Sequence, residues 1–276
     1  MKRFSKKSLI CAALLCIIGS VVLVGCGSNE VADSKKEKSK NEKPYYYNEE
    51  NKERYEAYSK KHPKLSEDEV IWRVEADIDK TPYKDMKLIS KEDENNDILL
   101  VNKHFCFRDD FEPKDLKNTG NGQMATSKTV DAYKKMASDA EKEGLALNVR
   151  SGYRSIAHQR RNYNNCIKAY GKEYTNDYIA RPTTSEHHTG RALDLVDDKW
   201  DFDTFDKSES CKWLHKNAWK YGFILRYQKD ITKITGYAYE SWHVTYVGEE
   251  AAKTMHDEGI KSLEEYWVKY IKYTPQ

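Results

Sequence analysis

The residues whose types and spacing could do chemistry are concentrated at positions 184–194, in the sequence TSEHHTGRALD. Six residues separate a histidine, His187, from a carboxylate, Asp194, and Gly190 between them lets the backbone turn. A loop that carries the histidine and a short strand that carries the carboxylate can direct both side chains at one point. These would be two of the three protein ligands of a catalytic zinc ion, which usually keeps a fourth position open for water.

A second motif downstream, YESWH at residues 239–243, offers the groups that the first lacks. His243 would complete the ligand set, and Glu240 would lie beside the metal as a general base. Neither motif is strong evidence alone, because short motifs often match by chance and a histidine next to a tryptophan is commonly a hydrogen-bonded structural residue. Occurring together, they predict one zinc ion held by His187, Asp194 and His243.

Three motifs, in this order and at this spacing, resemble one protein family. They are SGYRS at residues 151–155 with Gln159 after it, SEHHTGRALD at 185–194, and ESWH at 240–243. The chain resembles the VanY-like zinc D-alanyl-D-alanine carboxypeptidases of bacterial cell walls, a group that includes the LdcB/DacB-like L,D-carboxypeptidases. A weaker likeness extends from about Arg54 to Gly248.

The candidate site residues receive roles from their chemistry and from this resemblance. Glu240 would accept a proton from the attacking water and pass it to the leaving amine. Arg154 follows a strand and a turn, where its guanidinium can stabilise the charge that develops on the scissile carbonyl. The resemblance implies that Arg154, Gln159 and Ser185 contact the substrate. The alternatives are that Glu240 only hydrogen-bonds a ligand histidine and that Arg154 pairs with a structural acid.

Other residues near the motifs receive weaker assignments. His188 is expected to point away from the metal, Trp242 to pack behind the site, and Tyr227 is a candidate for lining the cleft. The sequence also departs from the family pattern without losing a ligand or the base, so the substrate preference is less certain than the activity. The departures are Thr183 where Gly is frequent, Gln228 where Pro is common, Ser241 where Pro is usual, and Thr245 where Arg is frequent.

The N-terminal residues are typical of an exported lipoprotein. Residues 1–25 combine four basic residues with an apolar run that is shorter than the roughly 18 residues of a membrane span, as in a signal peptide. The run ends in LVGC, which resembles a lipoprotein cleavage box with Cys26 as the lipidated residue; an uncleaved anchor is the alternative. Residues 26–43 are polar and predict a flexible tether. We therefore expect a lipid-anchored protein on the extracellular face of a bacterial cell membrane.

Charge and cysteine content exclude some classes of partner and site. Removing residues 1–25 would take away four Lys/Arg and no acids, so the formal charge would fall from +2 to 2 − 4 = −2. This near-neutral chain does not favour a nucleic-acid partner, which needs a basic face, and we expect a monomer. Cys106, Cys166 and Cys211 allow at most one disulfide, and no C-x-x-C spacing indicates a thiolate metal site.

The remaining chain is predicted as an N-terminal helical extension, residues 44–96, and a catalytic domain, residues 97–276. Ser66 and Glu69 form a capping-box pattern in the extension. Helices and strands are mixed without βαβ repetition, which predicts an α+β fold with a small, mainly antiparallel sheet flanked by helices; the resemblance implies a hedgehog/DD-peptidase-like fold. Predicted helices cover about 129–143 (N-cap Ser127), 155–170, 210–221 (N-cap Ser210) and 249–258, and predicted strands 98–101, 145–151, 192–196, 223–225 and 242–247.

The sequence thus predicts an exported zinc carboxypeptidase that removes the C-terminal D-alanine from peptidoglycan stem peptides. An L,D-carboxypeptidase acting on tetrapeptides and an endopeptidase cutting within the stem or a cross-bridge remain open. A non-catalytic, wall-binding lipoprotein with the same fold is the alternative from another class. The intact residues His187, Asp194, Glu240 and His243 argue against it.

Overall fold

The computed structural model describes residues 42–273. The predicted signal peptide, Cys26 and nearly all of the predicted tether lie outside these residues. The helices are α1 Lys52–Lys61, α2 Glu67–Glu75, α3 Ser127–Lys142, α4 Ile156–Tyr170, α5 Lys172–Tyr178, α6 Phe202–Phe205, α7 Glu209–Asn217, α8 Thr232–Thr235, α9 Glu249–Glu258 and α10 Leu263–Trp267. The strands are β1 Lys87–Leu88, β2 Phe105–Cys106, β3 Leu116–Asn118, β4 Met124–Thr126, β5 Asn148–Ser151, β6 Ala192–Val196, β7 Phe223–Tyr227 and β8 Glu240–Tyr246.

Short turns complete the secondary structure. Single 3₁₀ turns cover Glu49–Asn51, Asp93–Asn95, Glu186–Thr189 and Ala218–Tyr221, and a π-helical turn covers Val268–Lys272. Across residues 42–273, no helix combines the length and the apolar character needed to cross a membrane.

A four-stranded sheet in the order β5-β6-β8-β7, with every neighbouring pair antiparallel, forms the centre of the fold. β3 and β4 form a second antiparallel pair, and β1 and β2 a parallel one. The predicted α+β fold with a small, mainly antiparallel sheet is therefore confirmed. All five residues of β6 are buried, so Asp194 in its middle needs partners that offset the cost of burying a charge.

An irregularity between β7 and β8 determines which side chains share a face. Leu225 pairs with Val244 and Tyr227 with Glu240, so two steps along β7 correspond to four along β8. Residues three apart in a regular strand face opposite sides of the sheet. The additional residues of β8 interrupt this alternation, which allows Glu240 and His243 to face the same cavity.

Apolar residues form three clusters around the sheet. The first packs α3 and α7 against the sheet through residues such as Met136, Leu195 and Leu214. The second lies under α9 and α10 and includes Phe107 and Met255. The third joins the two helices of the N-terminal extension to the C-terminal turn.

Glu75, at the end of α2, connects the extension to the C-terminal segment. Its buried carboxylate accepts hydrogen bonds from Asn51 (2.7 Å), Lys272 (2.6 Å), Tyr55 and Tyr273. Burial alone would raise the pKa of Glu75, but the bonds from Lys272 and the tyrosines outweigh it and lower the pKa. The extension therefore packs on the catalytic part through a charged anchor as well as an apolar cluster.

The helix-capping predictions gave mixed results. The capping box of Ser66 and Glu69 is confirmed at the start of α2, with both hydrogen bonds formed. The predicted N-cap Ser127 is wrong: Thr126 occupies the cap position, and the Ser127 hydroxyl donates to Asp115 instead. Ser210 is also wrong as an N-cap, because α7 begins after Ser208, whose hydroxyl accepts from the Cys211 amide at 3.0 Å.

The predicted strand at residues 98–101 is wrong. The segment is irregular, although Leu100 and Val101 are buried in the second apolar cluster. A short apolar run indicates burial more reliably than it indicates strand pairing. The cysteines Cys106, Cys166 and Cys211 are free thiols.

Candidate active site

Strand pairing alone brings two of the predicted ligands together. In the register of the sheet, Asp194 of β6 lies directly opposite His243 of β8, and Ser151 of β5 lies on its other side. Directly opposed side chains in antiparallel strands start about 5 Å apart. The Asp194 Oδ1 atom lies 3.1 Å from Nδ1 of His243.

His187 enters from the 3₁₀ turn that precedes β6. The turn ends at Gly190, whose φ of 66° is left-handed and whose Cβ position lies 2.9 Å from the Leu116 side chain, so a larger residue would be strained there. Nδ1 of His187 lies 2.7 Å from the carbonyl oxygen of Gly152. A carbonyl only accepts hydrogen bonds, so Nδ1 carries the proton and Nε2 keeps a free lone pair. That Nε2 atom lies 3.3 Å from Asp194 Oδ2.

His243 is oriented by a buried carboxylate that sequence reasoning missed. Its Nε2 lies 3.3 Å from Oε2 of Glu186, while its Nδ1 faces Asp194 and, at 3.5 Å, Oε2 of Glu240. Metal-binding histidines usually donate their second ring N–H to such a partner, which fixes the tautomer and the ring. The signal in the sequence was Glu186 itself, adjacent to His187 in the first motif.

Glu186 belongs to a chain of buried charges. It accepts a hydrogen bond from Nε of Arg226 at 2.5 Å and one from the hydroxyl of Thr245 at 2.5 Å. Arg226 donates its other two nitrogens to Glu264, at 3.0 and 2.7 Å, and Glu264 also accepts from Asn102 at 3.0 Å. Burial would raise the pKa of Glu186, but the positive charge of Arg226 and the contact with His243 lower it to about 2. Glu186 therefore stays ionised at neutral pH.

The three predicted ligands fit a zinc ion. One nitrogen or oxygen atom from each of His187, Asp194 and His243 lies within 4.8 Å of the other two. Within residues 42–273, the buried atoms Nε2 of His187 and Oδ1 of Asp194 lack a partner with hydrogen-bond geometry. Buried polar atoms without partners are costly, and two imidazole nitrogens with one carboxylate oxygen form a donor set that suits zinc. Bound this way, the metal would keep a net charge of +1.

Glu240 lies at the edge of this group. Burial raises the pKa of Glu240 to about 7; the negative charge of Asp194 adds to the effect and the positive charge of His243 opposes it. A carboxyl group with a pKa near neutrality can both accept and return a proton. The role predicted for Glu240 is thus compatible with its surroundings.

Arg154 and Gln159 form a connected pair next to the ligand Asp194. The Arg154 guanidinium lies 3.6 Å from Asp194 Oδ2 and donates to the side-chain oxygen of Gln159 at 2.9 Å. The amide nitrogen of Gln159 donates to the Ala180 carbonyl at 2.7 Å. Both ends of the Gln159 amide are thereby occupied, whereas Nε of Arg154 has no hydrogen-bond partner among the described residues.

All of the predicted metal, catalytic and substrate residues border one cavity of about 520 Å³. Ser185 is buried in its wall, and Tyr227 lines it as suggested, with its ring 4.7 Å from that of His243. Trp242 was expected behind the site, but it lines the cavity and packs on Phe202. His188 points away, with Nδ1 2.7 Å from the Arg154 carbonyl oxygen, as expected for a residue that is not a ligand.

Comparisons with known proteins agree with this geometry. The family model of the VanY D-alanyl-D-alanine carboxypeptidases matches residues 122–249. YodJ of Bacillus subtilis, which is named as a carboxypeptidase, is 36% identical over 189 residues, covering 64% of this chain and 69% of YodJ. The chain belongs to the VanY family. It is a zinc metallocarboxypeptidase.

Two solved structures resemble this VanY-family protein over most of their own length. The L,D-carboxypeptidase LdcB has a TM-score of 0.61 at 34% identity, covering 68% of this chain and 92% of LdcB. The vancomycin-resistance D,D-pentapeptidase VanY, solved in complex with Zn(II), has a TM-score of 0.55 at 30% identity, covering 61% of this chain and 97% of VanY.

Zinc affinity should depend on pH through His243. Burial alone would lower its pKa, but the neighbouring carboxylates of Asp194 and Glu186 outweigh burial and raise the pKa to about 9. Because zinc must displace a proton from this ring, we expect affinity to rise with pH up to that value. Glu186→Gln should weaken zinc binding by roughly 10- to 100-fold, because the ring loses its carboxylate partner. Competition against a chelator between pH 6 and about 9 measures both effects.

Glu173→Gln on the exposed face of α5 is the matched control, and circular dichroism shows whether each variant is folded. An affinity that is unchanged in folded Glu186→Gln would contradict the orienting role of Glu186.

Proposed function

We propose that this VanY-family protein is a D,D-carboxypeptidase that removes the C-terminal D-alanine from peptidoglycan stem peptides. The observation that carries the proposal is the convergence of His187, Asp194 and His243 with Glu240 and Arg154 in one cavity. The family name describes this activity, and a VanY structure in complex with D-alanyl-D-alanine supports the same substrate class.

Proton transfer is assigned to Glu240. A zinc ion held by the three ligands would polarise a water molecule and the scissile carbonyl. The carboxylate of Glu240 accepts a proton from the attacking water, and its protonated form returns that proton to the amine nitrogen as the C–N bond breaks. The raised pKa of Glu240 supports this role, because a more basic carboxylate takes the proton from water more readily and keeps it until the C–N bond breaks.

The binding of negative charge on the substrate is assigned to Arg154. Its unpartnered Nε and its position beside Asp194 place donors next to the ligand group, where they can meet the developing oxyanion or the terminal carboxylate. Gln159 has no free end, so we assign it the task of holding the Arg154 guanidinium in place. Ser185 remains a candidate for direct contact with the substrate.

Glu240→Ala should retain zinc and the fold but lose turnover by roughly 100-fold or more, the usual contribution of a general base. Mass spectrometry of a synthetic pentapeptide, read as loss of one alanine, measures turnover, and metal analysis measures zinc. Glu250→Ala, an exposed glutamate on α9, should behave as the wild type. Near-normal turnover in Glu240→Ala would assign the proton transfer to another group.

Arg154→Ala should also retain zinc while losing on the order of 3 kcal/mol of transition-state stabilisation, as for the loss of one oxyanion donor. Arg154→Lys should restore little, because lysine lacks the planar fork that can hold two oxygens. Steady-state kinetics on the same pentapeptide measures both variants, with Arg160→Ala, a half-exposed arginine, as control. If Arg154→Ala had the kinetics of the wild type, residues 151–155 would be a structural turn without a role in catalysis.

An L,D-carboxypeptidase acting on tetrapeptides is the second candidate. It is favoured by the match to LdcB, which covers more of this chain and has a higher TM-score than the match to VanY. Incubation with a pentapeptide and a tetrapeptide in parallel separates the two, because only the preferred stem loses its last residue. Release of a dipeptide or of a longer fragment would indicate an endopeptidase instead.

We also propose that the protein is anchored to the outer face of the cell membrane through a lipid on Cys26. The sequence LVGC at residues 23–26 after a short apolar run supports this. Cys26→Ser should abolish lipid attachment while the cleaved or tethered domain stays active, which metabolic labelling with a fatty acid and a peptide-cleavage assay would show. Absence of lipid on the wild-type protein would contradict the anchor.

A further inference from the structure

Three tyrosines form an exposed aromatic ladder beside the active site. Tyr170 ends α4, and Tyr174 and Tyr178 follow on α5 at intervals of four residues. Neighbouring ring centroids are 4.9 and 4.5 Å apart. The three residues are 67%, 45% and 43% exposed, and they account for half of the six large apolar side chains exposed in the described part of the chain.

The helix α5 is anchored to the rest of the protein by residues other than the ladder tyrosines. α5 is held by its opposite face, where Thr175 is fully buried. On that face the side chain of Asn176 accepts a hydrogen bond from the Tyr163 hydroxyl, and its backbone carbonyl accepts one from the Lys103 ammonium. Contiguous exposed apolar side chains are uncommon on soluble proteins and typically mark binding surfaces. The tyrosine ladder is therefore available to a ligand.

The ladder is continuous with the catalytic cavity. Tyr178 lines that cavity together with Phe202 and Trp242. Another exposed aromatic residue, Trp200, stands two positions before Phe202 with a left-handed φ of 58°. Non-glycine residues in this conformation are strained and occur preferentially at functional sites. Aromatic rings thus extend from the cavity towards the surface.

The direction of the substrate identifies the occupant. In the reaction proposed above, the C-terminal residue of the stem peptide lies at the ligand group, so the peptide runs outward to its N-terminus, which is joined to a sugar of the glycan strand. Tyrosine side chains combine apolar ring surface with a hydroxyl, which match the C–H faces and the hydroxyls of a sugar ring. The ladder itself carries no charge, so it offers nothing specific to an ionic partner.

We propose that the ladder of Tyr170, Tyr174 and Tyr178 binds the glycan strand to which the stem peptide is attached. This inference rests on the function proposed above. With such a subsite, the protein would prefer stem peptides that are still attached to glycan. The saccharide would bind at residues separate from those that carry out hydrolysis.

Two substrates test the ladder: a sugar-free pentapeptide and the same pentapeptide on its disaccharide. Tyr174→Ala, which lies outside the cavity, should leave hydrolysis of the free peptide unchanged. It should raise KM for the disaccharide-peptide roughly tenfold at unchanged kcat, which corresponds to ~1.4 kcal/mol. Tyr174→Phe, which keeps the ring, should recover most of the affinity. Tyr45→Ala, an exposed tyrosine outside the ladder, is the matched control.

A second readout does not require turnover. Peptide-free glycan strands should co-sediment with the full chain and should retain less of Tyr174→Ala. The saccharide subsite would be overturned if Tyr174→Ala changed KM for both substrates equally, or for neither, and still co-sedimented with glycan strands. That result would leave the proposed carboxypeptidase activity intact. A wild-type protein that cleaves neither peptide but binds glycan through Tyr174 would instead overturn the proposed reaction.

Discussion

The geometry of the site depends on one buried guanidinium, that of Arg226. It joins Glu186 in the turn before β6 to Glu264 on α10, and Glu264 in turn holds Asn102 in an otherwise irregular segment. Isolated, each of these buried charges would be strongly unfavourable; removing one partner of such a group typically costs about 3–5 kcal/mol. The network therefore links these three segments through hydrogen bonds that are costly to break. This linkage holds the carboxylate that orients His243.

The motifs in the sequence could identify the metal ligands because each motif is local: His187 lies seven positions before Asp194, and Glu240 three positions before His243. The strand at residues 192–196 was predicted with its observed bounds, and the antiparallel register then places Asp194 opposite His243. The roles of Glu186 and Glu264 could not be predicted in the same way. They are 40 and 38 positions from Arg226 in the sequence. No periodic pattern in the sequence predicts which distant charged residues will pair in the core.

The position of Glu240 shows a different limit of sequence reasoning. Three residues of separation on a strand predict opposite faces, yet both Glu240 and His243 reach the cavity because the pairing of β8 with β7 shifts between them. Nothing in the letters ESWH indicates this shift. The departure at Thr245 gains an explanation only from the structure: its hydroxyl binds Glu186 beside the Arg226 guanidinium, so this chain supports Glu186 without an arginine at position 245.

The N-terminal extension also contacts a residue that lines the active-site cavity. Tyr83, held at a left-handed φ of 63°, places its hydroxyl 3.1 Å from that of Tyr237, which lines the cavity. The Lys103 ammonium lies over both rings, 5.5 Å from the Tyr83 centroid and 4.3 Å from the Tyr237 centroid, and it donates to the Asn176 carbonyl at 2.8 Å. Burial lowers the pKa of Lys103 to about 8, a cost that its carbonyl and aromatic partners offset. Because Asn176 belongs to α5, which carries Tyr174 and Tyr178 of the ladder, this lysine contacts the extension, the cavity wall and the helix beneath the ladder at once.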